Sequence, residues 1–349
     1  TSSGVVQINH DRALGLSGTI SFNGSGTLRY GPGITTDLSS RISTGSSAVT
    51  ASIDTNGNDV TFGTAVNLSG RLAKVGSGTL TYAAPDTTNV FVLYVIGGEL
   101  AVVSGTINTT GSTSGGGLTG ISDLPTSVFL KDATLSIAGG TLSTDTLLAG
   151  KASAFSTGTS PWKLDVSSGT LHARGDLVTT LGTSGEDFAL VTIRGGTTQV
   201  DGNLIIGWDS KQRVDVSDGT LHVAGNLVVG RYSQSWLNVS GGTVTTSSLR
   251  HENSGLGSEV NLTGGVVIAG EVLHQVIQAT SLATNDSFII NLEAGGTLVT
   301  DRVYVNRTVT GATHTLELRF DGGTLRKLSA SADHNLIDAP QGTGGTADL

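Results

Sequence analysis

Two histidines, His172 and His222, each follow a Gly-Thr-Leu string, in GTLHARG and GTLHVAG, two repeats of a common pattern apart, with Gln199 at the matching position between them. On stacked strands that spacing separates their backbones by about 9 to 10 Å. One zinc ion would need a closer approach and a third convergent ligand, so the pair reads as solvated surface residues and no metal site is expected. Asp165 and Asp215 repeat the geometry around Thr192. Their separation reaches the top of the range that inverting glycosidases use, but no third acid or flanking lysine is evident. The run Asp54-Thr-Asn-Gly-Asn-Asp59 is rich in oxygen ligands, yet Gly57 is misplaced for a calcium loop and Ala65 stands where the bidentate glutamate belongs. It reads as a tight turn. The chain has no G-x-S-x-G elbow, no H-E-x-x-H and no Walker loop, and no cofactor is expected.

A second constellation is aromatic. Trp162, Trp208 and Trp236 fall in segments of variable length, with Phe155, Phe188, Tyr232 and Phe288, and near them lie Lys211, Arg213, Arg231 and Asp209. Loops inserted at one corner of a repeat stack along one edge, and such a strip of rings and cations could bind glycans or a partner surface. The alternative is that the rings cover the apolar corner of the core.

The elements that position these residues are written as a repeat. VDVSDGTLHVAGNLVVG from Val214, LNVSGGTVTTSSL from Leu237 and the strings from Leu135, Leu164, Val191, Val260, Ile290 and Leu316 share one frame: an alternating strand, a glycine turn, a second alternating strand. The residue after the turn glycine falls at 141, 170, 197, 220, 243, 266, 297 and 324. Equal gaps at the centre and longer ones at the flanks are what a repeat with variable insertions produces. Strand alternation puts Val214, Val216, Leu221 and Val223 inward and Asp215, Thr220 and His222 outward. Stacking would align Asn238, Asn261 and Asn291 into an amide ladder and Thr141, Thr170, Thr197, Thr220 and Thr243 into a hydroxyl ladder. Residues 105–127, rich in Gly, Ser and Thr, are the expected long loop or seam.

Composition sets limits. The 349 residues include 51 Gly, 5 Pro, 37% apolar residues and 13% charged ones, with a net charge of −9. No basic stripe is present, which argues against a nucleic-acid partner. Cys is absent, so disulfides and thiolate metal sites are excluded. Met is absent even at position 1, as expected of a processed or trimmed terminus. No apolar run is long enough for a membrane helix, and no membrane insertion is expected. Seven Asn-x-Ser/Thr triplets, at Asn23, Asn67, Asn108, Asn238, Asn261, Asn285 and Asn306, are what a chain rich in these residues produces by chance.

The string LAKVGSGTLTY from Leu72, followed by GGEL from Gly97, resembles the autotransporter-associated β-strand repeat, also called the passenger-associated transport repeat, whose signature is K-x-G-x-G-T-L-x-L leading to G-G-T-L. IDTNGNDVTF from Ile53 and LRFDGGTLRKL from Leu318 are similar to it. The resemblance implies a right-handed β-helical passenger or surface protein of bacteria. Unlike a complete autotransporter, the chain carries no run of amphipathic membrane strands after Leu328.

The expected fold is therefore all-β, a right-handed parallel β-helix (β-solenoid) of about thirteen rungs, with irregular rungs over 1–127, regular ones over 128–328 and a polar tail or partial docking rung over 329–349. The expected function is non-enzymatic and structural: a secreted or cell-surface shaft, matrix component or filament subunit. Self-association head to tail would use Val5, Val6 and Ile8 at one end and Thr346 and Leu349 at the other. The alternatives are a glycan-binding adhesin, using the aromatic edge, and a polysaccharide lyase or hydrolase.

Overall fold

The computed structural model describes residues 4–114, 125–150, 162–180, 189–208, 211–252, 257–276, 285–307, 313–329 and 335–337. The chain is all-β with parallel strands. Among the described residues the helical content is one 3-10 turn, Ser39–Arg41, and no helix is long and apolar enough to cross a membrane. The chain divides into two compact units, Thr1–Gly175 and Asp176–Leu349. Of the seam expected over 105–127, residues 115–124 lie outside the described residues. Leu93–Val102 pairs with Val128–Thr144 at nine positions, so strand pairing runs straight past that segment. Thr106–Thr109, expected in the loop, is a strand in register with Thr87–Val90.

In the first unit Gly4–Ile8, Gly26–Tyr30, Thr50–Asp54, Arg71–Val75, Leu93–Val102, Val128–Thr144 and Lys163–Ala173 pair in parallel, each with the next in chain order. Parallel partners need a crossover between them, and here the intervening residues make further short strands of the same repeat. Short antiparallel strands, Thr113–Ser114 and Pro125–Thr126, bracket residues 115–124.

In the second unit Ala189–Val200 pairs with Gln212–Val229, which pairs with both Ser235–Val239 and Thr243–Glu252. Parallel pairing then continues through Ser258–Leu262 and Val266–Val276, Asn285–Glu293 and Thr297–Arg307, to Thr313–Asp321 and Thr324–Lys327. The repeat marks are register partners: Thr197 pairs with Thr220, Thr220 with Thr243, Thr243 with Val266, Val266 with Thr297 and Thr297 with Thr324. Thr141 pairs with Thr170 in the first unit.

Alternation builds the core as expected: Val214, Val216, Leu221 and Val223 are buried, while Asp215, Thr220 and His222 are only partly covered. The third strand of the repeat differs. Leu227, Val228 and Val229 are all buried, as are Leu204, Ile205 and Ile206, so its outer face is covered too. Fully buried strands read as continuous apolar runs, which explains the strings LIIG and LVVG.

The asparagine ladder forms. Asn238 Nδ2 donates to Asp215 Oδ1 at 2.7 Å, Asn261 Nδ2 to Asn238 Oδ1 at 2.9 Å and Asn291 Nδ2 to Asn261 Oδ1 at 2.6 Å. A parallel series in the first unit links Asn108 to Asn89 and Asn89 to Asn67, and Arg174 donates to Asn108 Oδ1 at 3.1 Å. The threonine marks align in register but, among the described residues, their hydroxyls do not bond one another. Hydroxyls do bridge paired strands elsewhere: Thr109 Oγ1 donates to Thr144 Oγ1 at 3.0 Å, and Ser21 Oγ lies 3.2 Å from Ser43 Oγ.

Candidate functional site

The carboxylates singled out by sequence are tied to cations: Lys163, which the sequence reading passed over, and Arg213, which it placed with the aromatic strip. Asp165 lies 3.2 Å from Lys163 Nζ, and Asp215 lies 3.0 Å from Arg213 Nε besides accepting from Asn238. Each cation sits two residues earlier, which alternation places on the same face of the strand. His222 pairs in register with Gln199 and Thr245, and His172 with Ser143. In the Asp54–Asp59 turn, Asn56 and Gly57 both have positive φ, and Asn58 N donates to Thr55 O at 2.9 Å, a type I′ geometry. Its oxygens are engaged in the protein: Asp54 accepts from Arg29 Nε and Asn56 N, Asn58 Oδ1 from Gly33 N, and Asp59 Oδ1 from Thr79 N. The turn staples strands together.

Among the described residues, the aromatic edge places two of its three tryptophans in the interior. Trp162 and Trp208 are buried at 3% and 6% exposure, so neither ring offers a free face to a ligand. Trp208 is covered by its own neighbours: the Arg231 guanidinium lies 4.2 Å from its ring centroid, and Tyr232 meets it edge-on at 5.8 Å. Arg231 also faces Glu252 at 3.4 Å. Trp236 belongs to the strand Ser235–Val239, in register between Arg213 and Glu259, and is half-buried on the outer face. Phe288 is a core residue of Asn285–Glu293. Tyr232, 49% exposed, and Lys211 are open to solvent. Phe155, Phe188 and Asp209 lie outside the described residues. At the expected self-association end, Val5 and Val6 are exposed and Ile8 is buried; Thr346 and Leu349 lie outside the described residues.

Two buried polar constellations were not anticipated. The first is Lys74, the lysine of the resembling signature. Its side chain is fully buried, and Nζ donates to Val75 O at 3.1 Å, Gly76 O at 2.8 Å and Gly97 O at 3.1 Å. Three donors meet three carbonyls, which satisfies an ammonium completely. Burial pushes its pKa down to about 8, against the opposing pull of Asp54 and Glu99. Gly98 makes room for the cradle: its φ is +62°, and a Cβ there would lie 2.7 Å from Gly76 O and 2.8 Å from Lys74 Nζ.

The second constellation joins His251, His274 and Asp286, all buried, with ligand atoms within 4.8 Å of one another. His251 Nε2 lies 2.9 Å from Asp286 Oδ1, and His274 Nε2 lies 3.3 Å from Oδ2. The other ring nitrogens face backbone carbonyls: His251 Nδ1 is 2.7 Å from Val229 O and His274 Nδ1 is 3.2 Å from Thr315 O. Phe288 stacks on His251 with centroids 5.4 Å apart. Gly230 has a φ of +77°, and a Cβ there would meet Ser258 Oγ and approach His251 Cε1 to 3.1 Å. Burial raises the Asp286 pKa, but when the two imidazoles are protonated their hydrogen bonds and charge outweigh it and hold the carboxyl far below the usual range.

Register explains how the histidines meet. Ile206 pairs with Val229, His251 with His274, and His274 with Val305. The two histidines thus occupy an inward column of the third strand that aliphatic residues fill in neighbouring repeats. The signal was present in the aligned strings LIIG, LVVG, LRHE, VLHQ and VYVN. By sequence, RHENSGLGSE from Arg250 and the stretch from Leu273 to Phe288 fall among the segments of variable length, whereas Thr243–Glu252 and Val266–Val276 are strands that carry the two histidines.

No family model matches the chain, and no curated protein or solved structure is significantly similar to it.

Proposed function

We propose that this chain is a non-enzymatic structural β-solenoid, a right-handed parallel β-helix of about thirteen coils that serves as a surface shaft, matrix component or filament subunit outside a bacterial cell. The observation that carries the reading is the state of the carboxylates: Asp165 is ion-paired with Lys163, and Asp215 is ion-paired with Arg213 and accepts a hydrogen bond from Asn238. A catalytic carboxylate must reach the substrate with its oxygens, and each of these is held by a cation two residues earlier on the same face. The signature-like string from Leu72 and the amide ladders favour the same assignment, since ladders repeat a contact that resists unwinding rather than one that shapes a cleft.

The test pairs turnover with stability. The full chain is expected to release no reducing or unsaturated ends from a panel of uronate and neutral polysaccharides, and to resist proteinase K under native conditions. Sugar release that disappears in Asp165→Asn or Asp215→Asn would replace this reading with the enzyme. A second reading, glycan adhesion, is favoured by the exposed Tyr232 beside Arg231 and by Trp236 on the outer face. Glycan-array binding lost in the Tyr232→Ala, Trp236→Ala double variant would establish it.

A further inference from the structure

We propose that His251, His274 and Asp286 form a binding site for one divalent transition-metal ion of the zinc class, acting as a structural clamp within the second unit. The argument begins with the backbone. Val229 O and Thr315 O accept only, so in the tautomer that satisfies both carbonyls Nδ1 of His251 and of His274 each carry the hydrogen. A neutral imidazole has one N–H. Both Nε2 atoms then present lone pairs, and both point at the oxygens of one ionised carboxylate. Acceptor facing acceptor is repulsive, and the site calls for positive charge in both gaps.

Two protons would supply it, but they would make two imidazolium rings whose centroids are 4.9 Å apart in a fully buried place. One divalent ion fills both gaps with the imidazoles left neutral. The existing geometry is close to what it needs. Bonds of about 2.0 to 2.2 Å to nitrogen and oxygen imply ligand-to-ligand edges of about 3.3 to 3.6 Å in a tetrahedral site, against the 2.9 and 3.3 Å found, with all three ligand atoms within 4.8 Å of one another. Hydrogen bonds from Nδ1 to backbone carbonyls are the outer-shell arrangement that fixes a metal-binding histidine in the correct tautomer.

Two imidazoles and a carboxylate select zinc, cobalt or nickel over calcium and magnesium, which take oxygen donors. The carboxylate aims one oxygen at each ring and can complete four donors by binding through both. Phe288 lies against His251, and all three ligands are closed off from solvent, so the role is stability and not catalysis. The ion would join His251 and His274 on adjacent repeats to Asp286 on the strand Asn285–Glu293.

The experiment uses the full chain without a polyhistidine tag, stripped by chelator and titrated with zinc and with cobalt. Close to one equivalent is expected to bind, with cobalt ligand-field bands and a rise in Tm of roughly 5 to 10 °C at a hundredfold excess over Kd. His274→Val, a change to the residue that Val305 places in the same column, is expected to lose binding and shift together, while His222→Gln keeps both. Binding well below one equivalent by the wild-type chain, with no Tm shift, would overturn the proposal and leave a proton-held network. That wild-type measurement decides even if the variant does not fold. Retention of full binding by a folded His274→Val would overturn it equally.

Discussion

Lys74 in the first unit and the His251–Asp286–His274 group in the second bury charge in opposite ways. Lys74 lies among carbonyls of its own and the following turn, so every acceptor is neutral backbone and no second charge is needed. Asp286 is a charge held by two titratable rings, each anchored at its far nitrogen to a carbonyl. A backbone cradle demands only that glycines turn the carbonyls inward, and it balances itself. A side-chain network is balanced only when its protons, or an ion, are in place, so it is the more sensitive to change.

That contrast can be broken most severely at Asp286. In the presence of chelator, Asp286→Ala is expected to cost about 3 to 5 kcal/mol by denaturant unfolding, because it leaves two buried rings without their acceptor. The Lys74 cradle is tested by pH. Its folded pKa of about 8 lies below the 10.5 of the free side chain. Between those values the unfolded chain binds more protons than the folded one, so stability rises with pH across the window and is lowest below it. The wild-type stability relative to Lys74→Met is expected to rise by about 3 kcal/mol from pH 8 to 10.5. Tyr30 acts oppositely: burial, then Asp37, raises its pKa, so the folded state keeps a proton that the unfolded state loses above pH 10. Taking the difference from Lys74→Met cancels that contribution. The smallest effect belongs to the ladder. Asn261→Ala removes a donor and an acceptor on a half-exposed face and is expected to cost about 1 kcal/mol, read as a shift in the denaturant midpoint with an unchanged slope.

The regular repeats were the legible part. Glycine turns and alternating valines gave marks at 197, 220, 243, 266, 297 and 324 that proved to be register partners, and the same frame located the ladder of Asn238, Asn261 and Asn291. Lys74 could be read as part of a signature, but not as a ligand of turn carbonyls, because the direction of a carbonyl depends on the φ of the glycines around it. Trp208 and Trp236 look alike in sequence. One is buried under Arg231 and the other rides on the outer face of a strand, since the sequence leaves open where a variable segment ends and a strand resumes.

By itself the chain determined its period, its strand class and which face of each alternating strand turns inward, because these follow from local side-chain alternation and from glycine at positive φ. Only the tertiary structure decided which residues share a column. His251 and His274 are 23 residues apart and Asp286 comes 12 residues later, and their meeting depends on parallel register across repeats of unequal length. Register is a property of whole strands packed together, and so the chemistry of that column appears only when the repeats are laid side by side.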